Sequence, residues 1–177
     1  MIPEAPLERT GSGLTPSGDG WFVVNARDVR WLTGRFGAYT RFDNEAVRFP
    51  HLGFNIAVVQ PGEPVCYYHA EGDQEDFLVL AGECLVLIEG EERALKQWDF
   101  VHCPPWTEHV FIGAGDGPCA LLAVGSRTSR DGVYPVSELA LRYGAGVDRE
   151  TRDPRVAYMG IPEDTDVEYR EGWLPGA

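Results

Sequence analysis

The chain has 177 residues, of which 28 are acidic and 15 basic, for a formal net charge of −13; 44% of it is apolar, and it contains 21 glycines and 13 prolines. That length suits one domain able to bury a core without disulfide or zinc staples, and the glycine and proline content points to a turn-rich all-β protein rather than a disordered one. A field this acidic repels a phosphate backbone, which excludes nucleic acid as an expected partner, and no run approaches the roughly 18 consecutive apolar residues of a membrane span.

The opening MIPEAPLERTGSG lacks a basic region followed by an apolar core, so a cytoplasmic protein with no membrane association is expected. Residues 1–20 are rich in Gly, Pro, Ser and Thr without periodicity and read as a loose N-terminal arm. WFVVNARDVRWL follows, a short apolar strand and then a brief helical turn with Asn25 or Asp28 as cap; it leads into a barrel spanning 21–147.

From Gly37 to Arg127 short apolar or alternating runs are punctuated by Gly, Pro and charged turns, the pattern of a sandwich or barrel. The runs GAYTRF, GFNIAVV, VCYYHAE, DFLVLA, ECLVLIE, ERALK, FVHCPP, HVFIGA and CALLAVGS are the predicted strands. YPVSELALRYGAG then reads as one short helix on the outside of the barrel, with Ser137 as N-cap, Arg142 in the last turn and Gly144 as the stop. Residues 148–177 mix charge with isolated aromatics such as Tyr158, Tyr169 and Trp173, and read as an arm lying on the barrel or on a second subunit. Cys66, Cys84, Cys103 and Cys119 have no CXXC spacing and are expected to be free thiols buried as small hydrophobes.

Candidate chemistry gathers in two segments. In VCYYHAEGDQEDFLVLAGE, strand alternation puts His69 and Glu71 on one face, and a turn at Gly72-Asp73 can return Glu75 to that face. In WDFVHCPPWTEHVFIG, Pro104-Pro105 makes a turn before His109, which opens another strand and would complete a set of two histidines and a carboxylate. Tyr67 shares the face of His69, and Phe77, Val79 and Phe111 share the faces of Glu75 and His109; these four are the expected pocket lining.

These segments resemble the two consensus motifs of the cupin superfamily, G(X)5HXH(X)3,4E(X)6G and G(X)5PXG(X)2H(X)3N. In the first, His69, Glu75 and Gly82 stand at motif positions, Glu71 replaces the second histidine, and Gly62 precedes His69 by one residue more than the pattern. In the second, Pro104 and His109 match, while Trp98 and Trp106 replace glycines and Gly113 replaces the asparagine. The resemblance covers about residues 50–127 and implies a double-stranded β-helix, or jelly-roll barrel, with a divalent ion near its mouth.

The implied ligands are His69, Glu75 and His109, with Glu71 as a fourth ligand or as the catalytic base. Two histidines and two carboxylates suit Mn or Fe; three ligands alone make a facial triad, and Zn or Ni also fit. Resemblance to cupins implies a metal-dependent enzyme acting on a small organic molecule, dioxygenase-like or isomerase- or lyase-like, and a homodimer. The competing reading is a non-catalytic barrel that binds or senses a small ligand, and a third is a barrel that serves only assembly. His51 and His102 lie outside the ligand positions.

Overall fold

The computed structural model describes residues 1–129 and 131–176. Strands and isolated bridges together account for 44% of the described residues and helices for 5%. The N-terminal part holds β1 (Leu7–Thr10), β2 (Gly13–Pro16), β3 (Arg30–Gly34), β4 (Gly37–Arg41) and β5 (Leu52–Val59). Then come β6 (Ala70–Glu71), β7 (Glu75–Ala81), β8 (Glu83–Ile88), β9 (Glu91–Lys96), β10 (Phe100–Cys103), β11 (His109–Ala114), β12 (Cys119–Ser126) and β13 (Gly132–Val133). The chain ends with α1 (Glu138–Arg142), α2 (Pro154–Ala157) and β14 (Thr165–Val167).

One sheet runs β10-β7-β12-β5-β4-β3-β14, and the facing layer is built from β11-β8-β9 with the small pair β13-β6. All the paired strands are antiparallel. Bridges at Pro64–Ile112 and His69–His109 tie the segment before β6 onto β11. This is the double-stranded β-helix expected from the sequence, with sequence-distant strands such as β5 and β12 paired along eight positions from Cys119–Val59 to Ser126–Leu52.

Three apolar clusters follow from strand alternation. Between the sheets Phe77, Val79, Val86, Phe111 and Leu121 form the barrel floor. Outside the large sheet Trp31, Val58 and Ala120 are covered by Val167, Tyr169, Trp173 and Leu174 of the C-terminal segment. Outside the small layer Tyr68, Val110 and Ile112 pack against Ala140 of α1 and Ala145. The β11 run HVFIG is therefore buried at every residue: His109 and Phe111 face the interior, Val110 and Ile112 face α1.

Helix α1 matches its sequence signals. The Ser137 side chain accepts a hydrogen bond from the Ala140 N–H, and Gly144 takes φ +66 just past the end. Gly82 ends the first motif with φ +75, and a Cβ there would lie 2.4 Å from the Pro118 carbonyl oxygen, so the β7–β8 turn requires glycine.

Several expectations need correction. Residues 1–20, read as a loose arm, carry the β1–β2 hairpin, held down by the Leu14 N–H donating to the Asp28 carbonyl over 2.6 Å; four-residue strands are too short to leave a period. WFVV is not a strand: only Trp21 bridges, to Glu4, and the strand begins at Arg30. Asn25 is the cap of the turn, accepting from the Arg27 N–H through Oδ1, whereas Asp28 caps nothing there. In VCYYHAE only Ala70–Glu71 is strand, because the chain bends between Pro64 and His69 to send Tyr68 under α1. A second helix, α2, was not expected; Pro154 at its first turn and Asp153 as its cap are ordinary start signals in a segment without a period.

The C-terminal segment lies on its own barrel. Val167 pairs with Trp31, and Arg27 donates to the Tyr169 hydroxyl and to the Pro175 carbonyl. Among the described residues no helix is long and apolar enough to cross a membrane.

Candidate metal centre

His69 and His109 form an antiparallel cross-strand pair, each N–H donating to the other's carbonyl over 3.1 and 2.8 Å. Their rings point to the interior with centroids 5.0 Å apart. Glu75, the first residue of β7, reaches the same point from the opposite sheet, and ligand-type atoms of His69, Glu75 and His109 all lie within 4.8 Å of one another.

The orientation of the rings is fixed from behind. His69 Nδ1 lies 2.8 Å from the Tyr67 carbonyl and His109 Nδ1 lies 3.0 Å from the Thr107 carbonyl. A carbonyl can only accept, so Nδ1 carries the proton in both rings and each Nε2 presents a lone pair. Those lone pairs face Glu75 Oε2 at 3.9 Å from His69 and 3.4 Å from His109. Two nitrogen lone pairs and one carboxyl oxygen thus converge on one point.

Electrostatics favour the same conclusion. Burial, and then the neighbouring ring, lowers the pKa of His109 to about 4, and burial lowers that of His69, so both are neutral bases at pH 7. Burial, followed by Glu71 and Asp73, pushes the Glu75 carboxyl up to about 8. With its pKa near 8 the Glu75 carboxyl holds its proton at pH 7 until a cation displaces it; a buried carboxyl that no positive side chain neutralises among the described residues, facing two neutral imidazole lone pairs, is a donor set fit for a divalent cation.

Glu71 sits at the edge of this group. Its Oε1 is 3.8 Å from His69 Nε2, its side chain is 45% exposed, and it lies outside the set of three whose donor atoms converge. Burial and the charge of Asp73 raise its pKa.

The cluster opens into a cavity of about 570 Å³. Of the four expected lining residues, Phe77 and Phe111 line it. Val79 is wholly buried in the floor beneath it, and Tyr67 is turned away, packed on Phe36 and Tyr158 with centroids 4.9 and 5.1 Å distant. Tyr67 fails because the alternation assumed for residues 65–69 requires a strand that does not form. Small residues Gly53, Ala57, Ala123 and Gly125 on the inner faces of β5 and β12 leave the space open.

Sequence reasoning missed Cys66, Tyr158 and Arg127. Cys66 lines the cavity with its Sγ 3.6 Å from His69 Nδ1, while Cys84, Cys103 and Cys119 are buried in the floor as expected. Tyr158 enters from the tail, which carries no periodic signal. Arg127 was findable, since it continues the inward alternation of Leu121, Ala123 and Gly125.

Trp98 and Trp106, which replace motif glycines, keep the glycine conformation, with φ 75 and 71. A side chain in that region costs roughly 1–2 kcal/mol. Trp98 is 66% exposed; Trp106 packs near Gly72 and under the Arg152 guanidinium, 5.7 Å from its ring centroid.

The loop between Glu71 and Glu75 is held by Asp73. Its carboxylate accepts from Ser126 Oγ (2.8 Å), Thr128 N (3.0 Å), Thr128 Oγ1 (2.5 Å) and Ser129 N (2.9 Å). Burial opposes the charge, but the Thr128 and Ser126 hydroxyls and the Ser129 and Thr128 amides prevail and lower its pKa to about 2. A depressed carboxylate stabilises the fold fully above its ordinary pKa of 3.8 and loses that contribution as pH falls through about 2. Asp73→Ala should cost about 2–4 kcal/mol at pH 7, by stranding the two amides, and should flatten the loss of stability between pH 4 and 2 in urea titrations. An unchanged acid limb would contradict this role.

A cupin domain family model matches residues 55–125. Among solved structures, a predicted oxalate decarboxylase from Thermotoga maritima aligns with TM-score 0.52 at 20% identity, over 59% of this chain and 97% of its own. The polyketide cyclase RemF from Streptomyces resistomycificus aligns with TM-score 0.51 at 14% identity, over 59% of this chain and 78% of its own. At these identities the likeness is one of fold. A candidate sugar phosphate isomerase from Acidithiobacillus ferrooxidans is 25% identical over 50% of this chain, with TM-score 0.45; the chain spans 58% of that protein. No curated protein matches.

Proposed function

Because the chain belongs to the cupin superfamily, we propose that its barrel, residues 21–147, is a divalent-metal enzyme acting on a small organic molecule, with His69, Glu75 and His109 as the ligands. The observation that carries this reading is the convergence of two Nε2 lone pairs and one buried carboxylate, each imidazole locked from behind by a carbonyl. Fe or Mn suits the mixed nitrogen and oxygen donors, with Zn and Ni also compatible. When bound, the ion supplies Lewis acidity toward a substrate oxygen.

The remaining chemistry falls to the chain. Phe77, Phe111 and Leu121 form the apolar floor on which the carbon frame of the substrate rests and from which water is excluded. Glu71 lines both this cavity and the adjoining outer one, and its raised pKa suits a carboxylate that takes a proton at Oε1 and returns it. Glu71→Gln should therefore lower turnover by roughly 100-fold or more while metal content is unchanged, which assays of activity alongside metal analysis would check. If turnover survives, Glu71 is not the base.

Stripping the protein with a chelator and adding back Mn²⁺ or Fe²⁺ under anaerobic conditions tests the site. The melting temperature should rise with the free ion and saturate at one equivalent. No shift with any of the four metals would favour the metal-free ligand-binding barrel.

The reading includes a cytoplasmic location, in keeping with four free thiols, and a homodimer. Since the terminal segments cover their own barrel, an apolar face open to a second copy is the edge strand β10, with Phe100 at 63% exposure and Trp98 beside it. Light scattering should give a dimer for the native chain and a monomer for Phe100→Glu. A native monomer at micromolar concentration would refute this.

A further inference from the structure

The inner cavity and an outer cavity of about 520 Å³ meet at Glu71, Ser126 and Arg127. Arg127 extends the inward row of β12, and its N–H donates to the His51 carbonyl just beyond the last strand pair. It stands two residues past Gly125, which pairs with Glu75, so about 7 Å separates it along the strand from the metal cluster's edge.

The fork of Arg127 is only half used. Nη1 donates to Asp43 Oδ2 (2.6 Å) and to the Phe49 carbonyl (2.7 Å), while among the described residues Nε and Nη2 have no acceptor. Gly53 makes room for that unused edge: a Cβ there would lie 3.0 Å from Nε and 3.2 Å from Nη2. The Nη1 contacts fix the plane of the guanidinium, so its remaining donors are presented in a set direction.

Two more arginines line the outer cavity, Arg48 and Arg152, both exposed and neither in an ion pair among the described residues. Glu71, Asp73 and Asp131 line the same opening, Asp73 with its oxygens already engaged by Ser126, Thr128 and Ser129, so in a chain of net charge −13 the attraction for an anion is confined to the guanidinium groups themselves.

We propose that the site takes a small molecule bearing a carboxylate, which Arg127 holds by its Nε–Nη2 edge while the rest of the molecule reaches the His69–Glu75–His109 cluster. This names the substrate class for the metal-site reading above and rests on it. Arg48 and Arg152 guide the acid in, and Arg127 sets specificity by position, a planar two-oxygen group matching its planar pair of donors.

The test is calorimetric binding of acetate, malonate, succinate and benzoate, each against its own amide, to the native protein with metal content measured on the same samples. At least one acid should bind tenfold or more tightly than its amide. Arg127→Lys should erase that preference with metal content unchanged, and Arg48→Gln with Arg152→Gln should weaken the acid severalfold. Should loss of the Asp43 pair unfold the lysine variant, Gly53→Ala serves instead, since it crowds the unused edge and should weaken the acid while sparing the amide. The assignment is overturned if no acid is preferred, if the preference survives in a folded Arg127→Lys, or if inorganic phosphate binds and no carboxylate does. A metal-free native protein that still prefers acids through Arg127 would contradict the metal reading and support the arginine assignment.

Discussion

His109→Ala should reduce metal affinity by at least about 100-fold while leaving the far-ultraviolet dichroism of the barrel intact. Changes one shell further out already cost 10–100-fold at metal sites, and His109 is itself a donor, 2% exposed and held at Nδ1 by the Thr107 carbonyl. The fold should persist because Val110 and Ile112 anchor β11 on its other face and the ladder to β8 runs from His109–Ile88 to Ala114–Glu83 through the backbone alone. His69→Ala should behave alike, its N–H and carbonyl still bridging to residue 109. Metal retained at the native level in both variants would remove the proposed site.

The largest loss of stability is expected from Trp31→Ala. Trp31 is completely buried, donates from Nε1 to the Ala26 carbonyl over 2.9 Å, and packs against Trp173 and Tyr169 with ring centroids 5.0 and 5.9 Å away. Removing it leaves a cavity and an unpaired carbonyl, at about 3–5 kcal/mol. For a chain of this length that lowers the melting temperature by on the order of 10 °C. The loss should be accompanied by faster proteolysis between residues 165 and 176, because Val167 of β14 pairs with Trp31 and the two aromatics pack on its ring. A cost below about 1 kcal/mol, or a tail that stays protected, would mean that the C-terminal segment is held some other way.

What the sequence could carry was local. Alternation turns Phe77 and Phe111 toward the cavity because β7 and β11 are regular strands flanked by glycine and proline turns. The same rule misplaced Tyr67, since alternation says nothing where the backbone bends, and it could not distinguish Val79, covered within the floor, from Phe77 two residues away, which reaches the cavity surface. Motif spacing brought His69, Glu75 and His109 to one point, although the pairing of the two histidines across strands 40 positions apart depends on register that no local pattern encodes. The positive φ values of Trp98 and Trp106 show that the glycine pattern recorded a backbone requirement, which these two tryptophans meet at a cost in strain. The tail was illegible because short segments docked by single aromatics carry no period.

Elemental analysis of the native protein and His109→Ala, both purified anaerobically without a metal-affinity tag, tests whether His69, Glu75 and His109 hold a metal. Close to one divalent ion, iron or manganese foremost, is expected per native chain and almost none in the variant. An equal amount of metal in the two, or none in either, would contradict that site.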